Sequence, residues 1–316
     1  MLELLEQIKS EYLIRTENID EQKKIWIKLS EQFRPDLTLY RAARPSTITA
    51  RETGDLGLSV LWIVQASLIR PILKELVLKS ENDKDLSEML SRIGHSSLSA
   101  LAHSEDSNAP VTLTETAKGF VLNGEKKFIT AGKNAELMIV TCRIPGEEKI
   151  SHIALIDSAA LPENALPDLN LEIMRSVSHT KLVLNNVEVH PFQVPRLDGS
   201  VIRRMMKKYG ILERAMILEA FLSYMLYAEK ILNEAGAGLT AYDGISSLLE
   251  HQSASVTKQI DEAVYTDRID TQNIPLQKVF PLVDEFKKAY INKKEALSDT
   301  EKIKLKDLFL FDSLKG

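Results

Sequence analysis

The middle third of the chain has a different pattern from the sequence on either side of it. Between residues 111 and 194, short apolar runs are separated by Gly, Asn, Asp and Pro, which is typical of strands joined by turns. The runs cover residues 119–122, 127–130, 137–142, 152–156, 181–184 and 187–189. This pattern predicts an all-β unit, a barrel or a sandwich, within a larger α+β protein.

Helical spacing dominates the sequence before this unit. Apolar residues recur three or four positions apart in residues 2–12 and 25–33. Residues 58–78 then form a long apolar stretch, which Pro71 is expected to kink or divide. Gln65, Arg70, Lys74 and Glu75 interrupt this stretch, which indicates a buried helix rather than a membrane span.

Helical spacing returns after Gly199. Residues 201–232 contain no proline, and one apolar face is expected to hold Ile211, Ala215, Leu218, Leu222 and Met225. Three further helices are predicted over residues 242–265, 281–290 and 300–311, the second of them with Pro281 in its first turn. The sequence therefore predicts helical, β and helical units in that order.

Two dipeptides within the β unit favour tight turns. Asn123-Gly124 lies between the runs 119–122 and 127–130, and Asn185-Asn186 lies between the last two runs. Asn and Gly tolerate positive φ, which the two-residue turns of hairpins require. Each dipeptide is expected to close one β-hairpin.

Composition narrows the class of protein. The chain has 316 residues, 44% of them hydrophobic, and a net charge of -5, so it lacks the basic excess of nucleic-acid-binding proteins. The single cysteine, Cys142, cannot form an intramolecular disulfide, which favours a reducing, cytoplasmic setting. The histidines are scattered without a pair at metal-ligand spacing, so no metal site is expected.

The segment GFVLNGEKKFITAG at residues 119–132 resembles the opening of the middle domain of the acyl-CoA dehydrogenases. Residues 54–59, 99–107 and 174–178 resemble other segments of that family, in the same order. The resemblance implies an N-terminal helical domain over residues 1–108, a middle antiparallel β-barrel over 109–197 and a C-terminal helical bundle over 198–316, the last one shortened.

The resemblance also implies a function. Family members are flavoproteins that oxidise the Cα–Cβ bond of an acyl-CoA thioester in fatty acid metabolism. FAD is the expected cofactor, and Phe128, Ile129 and Thr130 match the family residues that face its ring, while Ser104 matches a hydroxyl near the flavin or the acyl chain. The implied partners are acyl-CoA, an electron-transfer flavoprotein and further copies of the chain in a homodimer or homotetramer.

The candidate catalytic base is Glu213. It lies in the segment GILERA at residues 210–215, which matches the helical position used by the isovaleryl- and long-chain-type members. Two alternatives stay open, namely that Glu213 is only an acid suited to the start of a helix, and that Glu219 is the functional acid. Arg203-Arg204 and Lys207-Lys208 could contact the phosphates of CoA or form a solvated helix face.

The C-terminal region departs from the family. The family's arginine and glutamine that hold the FAD pyrophosphate and adenosine have no counterpart in residues 229–240, and no arginine occurs between Arg214 and Arg268. The family's later glycine-rich stretch is missing as well. Two hypotheses follow: a dehydrogenase-like flavoprotein that uses Glu213, or a catalytically degenerate member that serves as a binding or scaffold protein without FAD.

Overall fold

A computed structural model of the chain describes residues 39–79, 84–91, 97–105, 108–265 and 276–313. The helices that were expected over residues 2–12 and 25–33 lie outside the described residues. The order of the described elements is helical, then β, then helical, as the sequence predicts.

The described residues before the β unit form four helices: α1 (Leu39–Thr53), α2 (Leu56–Ile63), α3 (Arg70–Lys79) and α4 (Lys84–Ser91). The side chain of Asp55 caps α2 by accepting a hydrogen bond of 2.8 Å from the backbone N–H of Leu58. Pro71 does not divide the apolar stretch, because a π-helical segment, Val64–Ile69, joins α2 to α3 just before it. The wider turn accommodates a ring that would clash with an α-helical carbonyl.

The segment Leu56–Lys79 is long and apolar enough to cross a membrane, but 89% of its most apolar window is buried inside the protein. The expectation of a buried helix is therefore confirmed. Gln65, within the π-helical segment, is itself buried and donates a hydrogen bond of 2.7 Å to the backbone carbonyl of Ser99. This amide fastens the helices to the first strand of the β unit.

The described strands form two sheets, not the closed antiparallel barrel that was expected. Six strands are present: β1 (Ser99–Ala102), β2 (Thr112–Thr116), β3 (Gly119–Thr130), β4 (Leu137–Cys142), β5 (His152–Asp157) and β6 (His179–Val189). One sheet has the order β1-β4-β5 and the other β2-β3-β6, and both contribute to one apolar core. The β1–β4 pair is parallel, and β1 falls within the region that was expected to be helical.

The hairpin predicted at Asn123-Gly124 is wrong. Strand β3 runs straight through this dipeptide, and its hairpin with β2 turns at residues 117–118 instead. Asn123 lies at a register shift opposite Asn185-Asn186, and its side chain accepts a hydrogen bond of 2.8 Å from the backbone N–H of Asn186. The second predicted hairpin is wrong for the same reason, since Asn186 takes φ 51° inside the continuous strand β6. Both dipeptides form a β-bulge, which also needs residues that tolerate positive φ.

The C-terminal region starts with α5 (Gly199–Glu234), the longest of the described helices, and continues with α6 (Tyr242–Tyr265) and α7 (Leu276–Lys293). Pro281 lies inside α7 rather than in its first turn. The helix expected over residues 300–311 is divided into α8 (Asp299–Leu305), a 3-10 turn and α9 (Leu310–Ser313). The apolar face predicted for α5 is confirmed, because its five residues are all buried.

A substitution at Gly124 tests whether this residue lies in a β-bulge of β3 and β6 rather than in a hairpin turn. Its φ is +124°, and a Cβ at this position would lie 2.4 Å from the carbonyl oxygen of Pro110. We expect Gly124→Ala to lower the free energy of unfolding by about 2 kcal/mol or more, because both the backbone angle and the close approach exclude a side chain. Denaturant unfolding measures this change.

The control is Gly146→Ala, because Gly146 also has positive φ, at 89°, but has no atom within 4 Å of a built Cβ. It carries the cost of the backbone angle alone. Equal losses of stability in the two variants would show that the contact with Pro110 is not what demands glycine at residue 124.

Candidate functional site

A cavity of about 500 Å³ lies between the β unit and helix α5, and we call it the central cavity. Its walls come from five parts of the chain: the π-helical segment, strand β1 with the loop after it, strand β3, the β4–β5 loop and helix α5. Ser104, Phe128, Thr130 and Glu213 all line it. The structure thus brings together four of the five residues singled out from the sequence.

The fifth residue, Ile129, does not line the cavity. Its side chain is fully buried in the core between the two sheets, because neighbouring residues of a strand face opposite sides. The prediction that Ile129 faces a cofactor ring is not tested by this placement, but its side chain points into the core rather than into the cavity. Phe128 and Thr130, on either side of it, line the cavity instead.

Phe128 owes its position to a second β-bulge. The pairing of β3 with β6 shifts between Lys126 and Ile129, and Phe128 takes φ 57°, a left-handed conformation that is rare for an aromatic residue. The side chain is 42% exposed although it lies in a strand with buried residues. Strained backbone of this kind is common where a side chain must be aimed at a ligand.

Helix α5 supplies the opposite wall through one stripe of side chains. The cavity-lining residues of this helix are Arg203, Met206, Lys207, Gly210, Glu213 and Arg214. Successive members of this set are one or three residues apart, so they all lie on one face of the helix. The stripe therefore carries cations at its start, a glycine in its middle and the candidate base near its end.

Glu213 is half-buried in this wall. Burial raises the pKa of its carboxyl to about 7, and the neighbouring Arg214 charge opposes the shift only in part. A carboxyl with this pKa exchanges protons readily near neutral pH. Glu219 does not line the cavity and accepts a hydrogen bond of 2.5 Å from the hydroxyl of Ser253, so the geometry favours Glu213 over this alternative.

Behind the cavity-lining residues His103 and Glu105 lies a buried lysine, Lys126, that the sequence prediction missed. The Lys126 side chain is fully buried, and its ammonium donates to a Glu105 carboxylate oxygen at 2.6 Å and to the His103 carbonyl at 3.2 Å. It also donates to the Thr141 hydroxyl at 3.2 Å. Arg143 pairs with the other carboxylate oxygen of Glu105. These groups hold the loop of residues 103–105 against β3 and β4.

The charged groups of this network shift the pKa values of one another. Burial lowers the pKa of Lys126, and its pairing with Glu105 offsets part of that effect. Burial alone would raise the pKa of Glu105, but hydrogen bonds from Lys126, Val111 and Arg143 bring it below its ordinary value. A signal was present in the sequence, because Lys126 falls on the same side of β3 as Leu122, two alternations earlier.

His103 lies beside Ser104 on the cavity wall, and its Nδ1 is 3.1 Å from the Thr141 hydroxyl. Burial, followed by the nearby Lys126 charge, lowers the pKa of the His103 imidazole. The ring is therefore neutral at neutral pH. The ring contacts the Thr141 hydroxyl and also borders the cavity.

Cations surround the cavity. Those that line it are Arg143, Lys149, Arg203, Lys207 and Arg214. Arg203 also donates a hydrogen bond of 2.8 Å to the carbonyl of Ile150, which joins α5 to the β4–β5 loop. The basic residues at the start of α5 therefore face different surroundings. Arg203 and Lys207 border the cavity, while the ammonium of Lys208 lies 3.5 Å from the carboxylate of Glu75.

A second cavity, of about 810 Å³, lies at the other end of α5 and is lined in part by residues from the segment 229–240. Arg51 and Lys230 line it together with the acids Glu52, Glu229 and Asp243. One oxygen of Glu229 accepts hydrogen bonds from the backbone N–H groups of residues 241 and 242 at the start of α6. This mixed lining is a poor match for a pyrophosphate, which needs cations or N–H donors.

Solved structures share this fold over nearly the whole chain. The FAD complex of PigA matches with a TM-score of 0.69 and 12% identity, over 97% of this chain and 88% of that chain. The prolyl acyl carrier protein oxidase AnaB matches with a TM-score of 0.57 and 14% identity, over 97% and 93%. An acyl-CoA dehydrogenase from Geobacillus kaustophilus matches with a TM-score of 0.57 and 11% identity, also over 97% and 93%.

These identities are low enough that the likeness establishes the fold alone. The fold is that of the acyl-CoA dehydrogenase-like proteins. No protein-family model and no curated protein sequence matches the chain.

The buried network can be tested by removing its centre. We expect Lys126→Met to lower the free energy of unfolding by about 3 kcal/mol, because the Glu105 carboxylate loses one of its two cationic partners in a buried site. Denaturant unfolding measures the loss. Lys118→Met, at an exposed turn of the same sheet, is the matched control and should change stability by less than about 0.5 kcal/mol. Similar stabilities of the two variants would contradict the role given to Lys126.

Proposed function

We propose that this protein is an FAD-dependent oxidoreductase that removes two hydrogens from the Cα–Cβ bond of an acyl thioester. The observation that carries the proposal is the meeting of Ser104, Phe128, Thr130 and Glu213 in one cavity. These residues come from three separate segments of the chain, each of which resembles a segment of the acyl-CoA dehydrogenases in sequence. Solved structures of the same fold include complexes described as holding FAD.

The residues of the central cavity fit the flavin part of FAD. An exposed aromatic ring, Phe128, can stack on a flat ring system, and the hydroxyls of Ser104 and Thr130 can hydrogen-bond to its polar edge. The surrounding cations suit the phosphate groups of a nucleotide cofactor or of a CoA-type substrate. The second cavity has no such excess of cations over acids. When bound, FAD would supply the hydride acceptor for the reaction.

Glu213 would take the proton. The carbon next to a thioester carbonyl is weakly acidic, so its proton needs a base with a pKa near the working pH. Glu213 meets this requirement, since burial raises its pKa to about 7. As the proton passes to the carboxylate, the neighbouring carbon gives up a hydride, and the two electrons left on the first carbon form the new double bond. Arg214, next to Glu213, keeps part of the carboxyl population ionised.

The remaining cavity groups would position these reactants. Lys126 and Glu105 fix the backbone that presents Ser104. The neutral imidazole of His103 borders the cavity without adding a further charge near the base. The fully buried Ile129 supports Phe128 and Thr130 from the core side.

The finer assignments rest on the resemblance to the family. We propose an acyl-CoA thioester as substrate, an electron-transfer flavoprotein as electron acceptor, a homodimer or homotetramer as the assembly, and a cytoplasmic role in fatty acid metabolism. The base position is that of the isovaleryl- and long-chain-type members. A carrier-protein thioester is the variant of this proposal suggested by the related fold of a prolyl acyl carrier protein oxidase.

A second candidate function is a binding or scaffold protein without redox chemistry. The observation in its favour is the mixed charge around the second cavity, where Glu52, Glu229 and Asp243 outnumber Arg51 and Lys230. A protein that does not hold the nucleotide half of FAD by this segment would need to hold it elsewhere. The central cavity has five cations against the three acids Glu105, Glu148 and Glu213, and this excess of positive charge favours the first candidate.

Replacement of the base tests the reaction. Short, branched and long acyl thioesters of CoA are mixed with the FAD-loaded protein, and loss of the oxidised flavin absorbance is followed with time. We expect Glu213→Gln to slow this loss by about 100-fold or more, because an amide cannot accept the proton. Glu219→Gln, an acid on the same helix that lies outside the cavity, should react like the wild type. A Glu213→Gln variant that reacts at the wild-type rate would remove Glu213 from the mechanism.

The same assay has a defined pH dependence. Glu213 is active as the carboxylate, and its pKa is raised to about 7, so kcat/KM should rise with pH through about 7 and level off above it. The sign follows from the raised pKa, since the protonated and inactive form predominates below this value. A rise centred near the ordinary pKa of glutamate would show that the carboxyl is not buried as described.

A further inference from the structure

Helix α5 has a glycine in the middle of the stripe that faces the central cavity. Gly210 lies between Lys207 and Glu213 on this stripe and lines the cavity itself. Glycine is the least favourable residue of a helix interior after proline, because it loses more backbone freedom than any other residue on folding. A glycine at this position therefore needs a reason.

The described part of the protein does not supply that reason. Gly210 has helical backbone without a positive φ, so any L residue suits its conformation. A Cβ built on it would have one described neighbour within 4 Å, a guanidinium nitrogen of Arg214 at 3.8 Å, which is ordinary contact. Gly124 shows the contrast, since a Cβ there would overlap the Pro110 carbonyl.

The space left by the missing side chain belongs to the cavity. Gly210 precedes Glu213 by three residues, which places it just under one helical turn away on the same face. A ligand group that reaches the Glu213 carboxyl along this face passes over the backbone of Gly210. Apolar side chains from the π-helical segment and α5, namely Val64, Leu68 and Met206, line the same cavity.

We propose that Gly210 is a specificity-determining residue that admits the acyl segment of the substrate next to Glu213. The inference rests on the proposed function, because it names the part of the thioester that occupies this space. The carbon that gives up its proton must lie within reach of the Glu213 carboxylate. A methyl group at residue 210 would narrow the cavity beside that carbon, while FAD, placed against Phe128 and Thr130 on the opposite wall, would bind unchanged.

The test is a variant that should improve the fold and impair the reaction. Gly210→Ala should raise the Tm by about 1–2 °C, because alanine favours the helix and the new methyl group meets no close neighbour. The same variant should bind FAD like the wild type but lose about tenfold or more in kcat/KM for the thioester that the wild type oxidises fastest. Gly210→Val, with a larger side chain, should lose more.

Gly244→Ala is the matched control, since Gly244 also lies in a helix, α6, with no atom within 4 Å of a built Cβ and with no part in the central cavity. Because Gly244 lies in the first turn of α6, where the helix-propensity gain is smaller, this variant should raise the Tm by no more than Gly210→Ala does, and it should keep wild-type turnover. A Gly210→Ala variant with wild-type kcat/KM would overturn the inference and leave the proposed function standing. A lower Tm in that variant would also overturn it, because the fold itself would then need the glycine. A wild-type protein that binds FAD but oxidises no thioester would refute the proposed reaction and this inference together.

Discussion

The architecture around the central cavity depends on one buried charge. An ammonium group without solvent is costly unless donors and acceptors around it are matched, and Lys126 meets this condition through Glu105, Thr141 and the carbonyl of His103. Its partners belong to β4 and to the loop after β1, so satisfying the lysine joins both sheets at one point. Ser104 and His103 lie on the cavity wall because Lys126 holds the loop that carries them.

The second wall is a single helix. Most of the apolar residues of α5 are buried in the core. The stripe of α5 that faces the cavity is not packed against the core, so it can carry polar side chains. This explains why Glu213 can be half-buried and carry a pKa raised to about 7. The bulged strand β3 and helix α5 therefore give a cavity with an aromatic ring on one side and a titratable acid on the other.

Much of this arrangement could be predicted from sequence, and the failures have physical causes. Helical spacing located α5 and α6, and short family-like motifs located Ser104, Phe128, Thr130 and Glu213. The dipeptides Asn123-Gly124 and Asn185-Asn186 misled, because tight turns and β-bulges favour the same residues, and only the pairing of β3 with β6 decides between them. The inward direction of Lys126 depends on strand alternation, and its partners are distant in sequence, so the sequence alone did not single it out. The closed barrel was expected from the family resemblance, whereas the described strands pair in two sheets.

We propose that the cavity between Phe128 and Glu213 is a flavin site. Titration of the purified, flavin-free protein with FAD, followed by the absorbance and fluorescence of the flavin, measures this binding. We expect saturable binding of one FAD per chain, with a perturbed flavin spectrum, and weaker binding when Phe128 is replaced by alanine. A protein that leaves the spectrum of FAD unchanged and elutes without it would refute the flavin site and favour a binding or scaffold role.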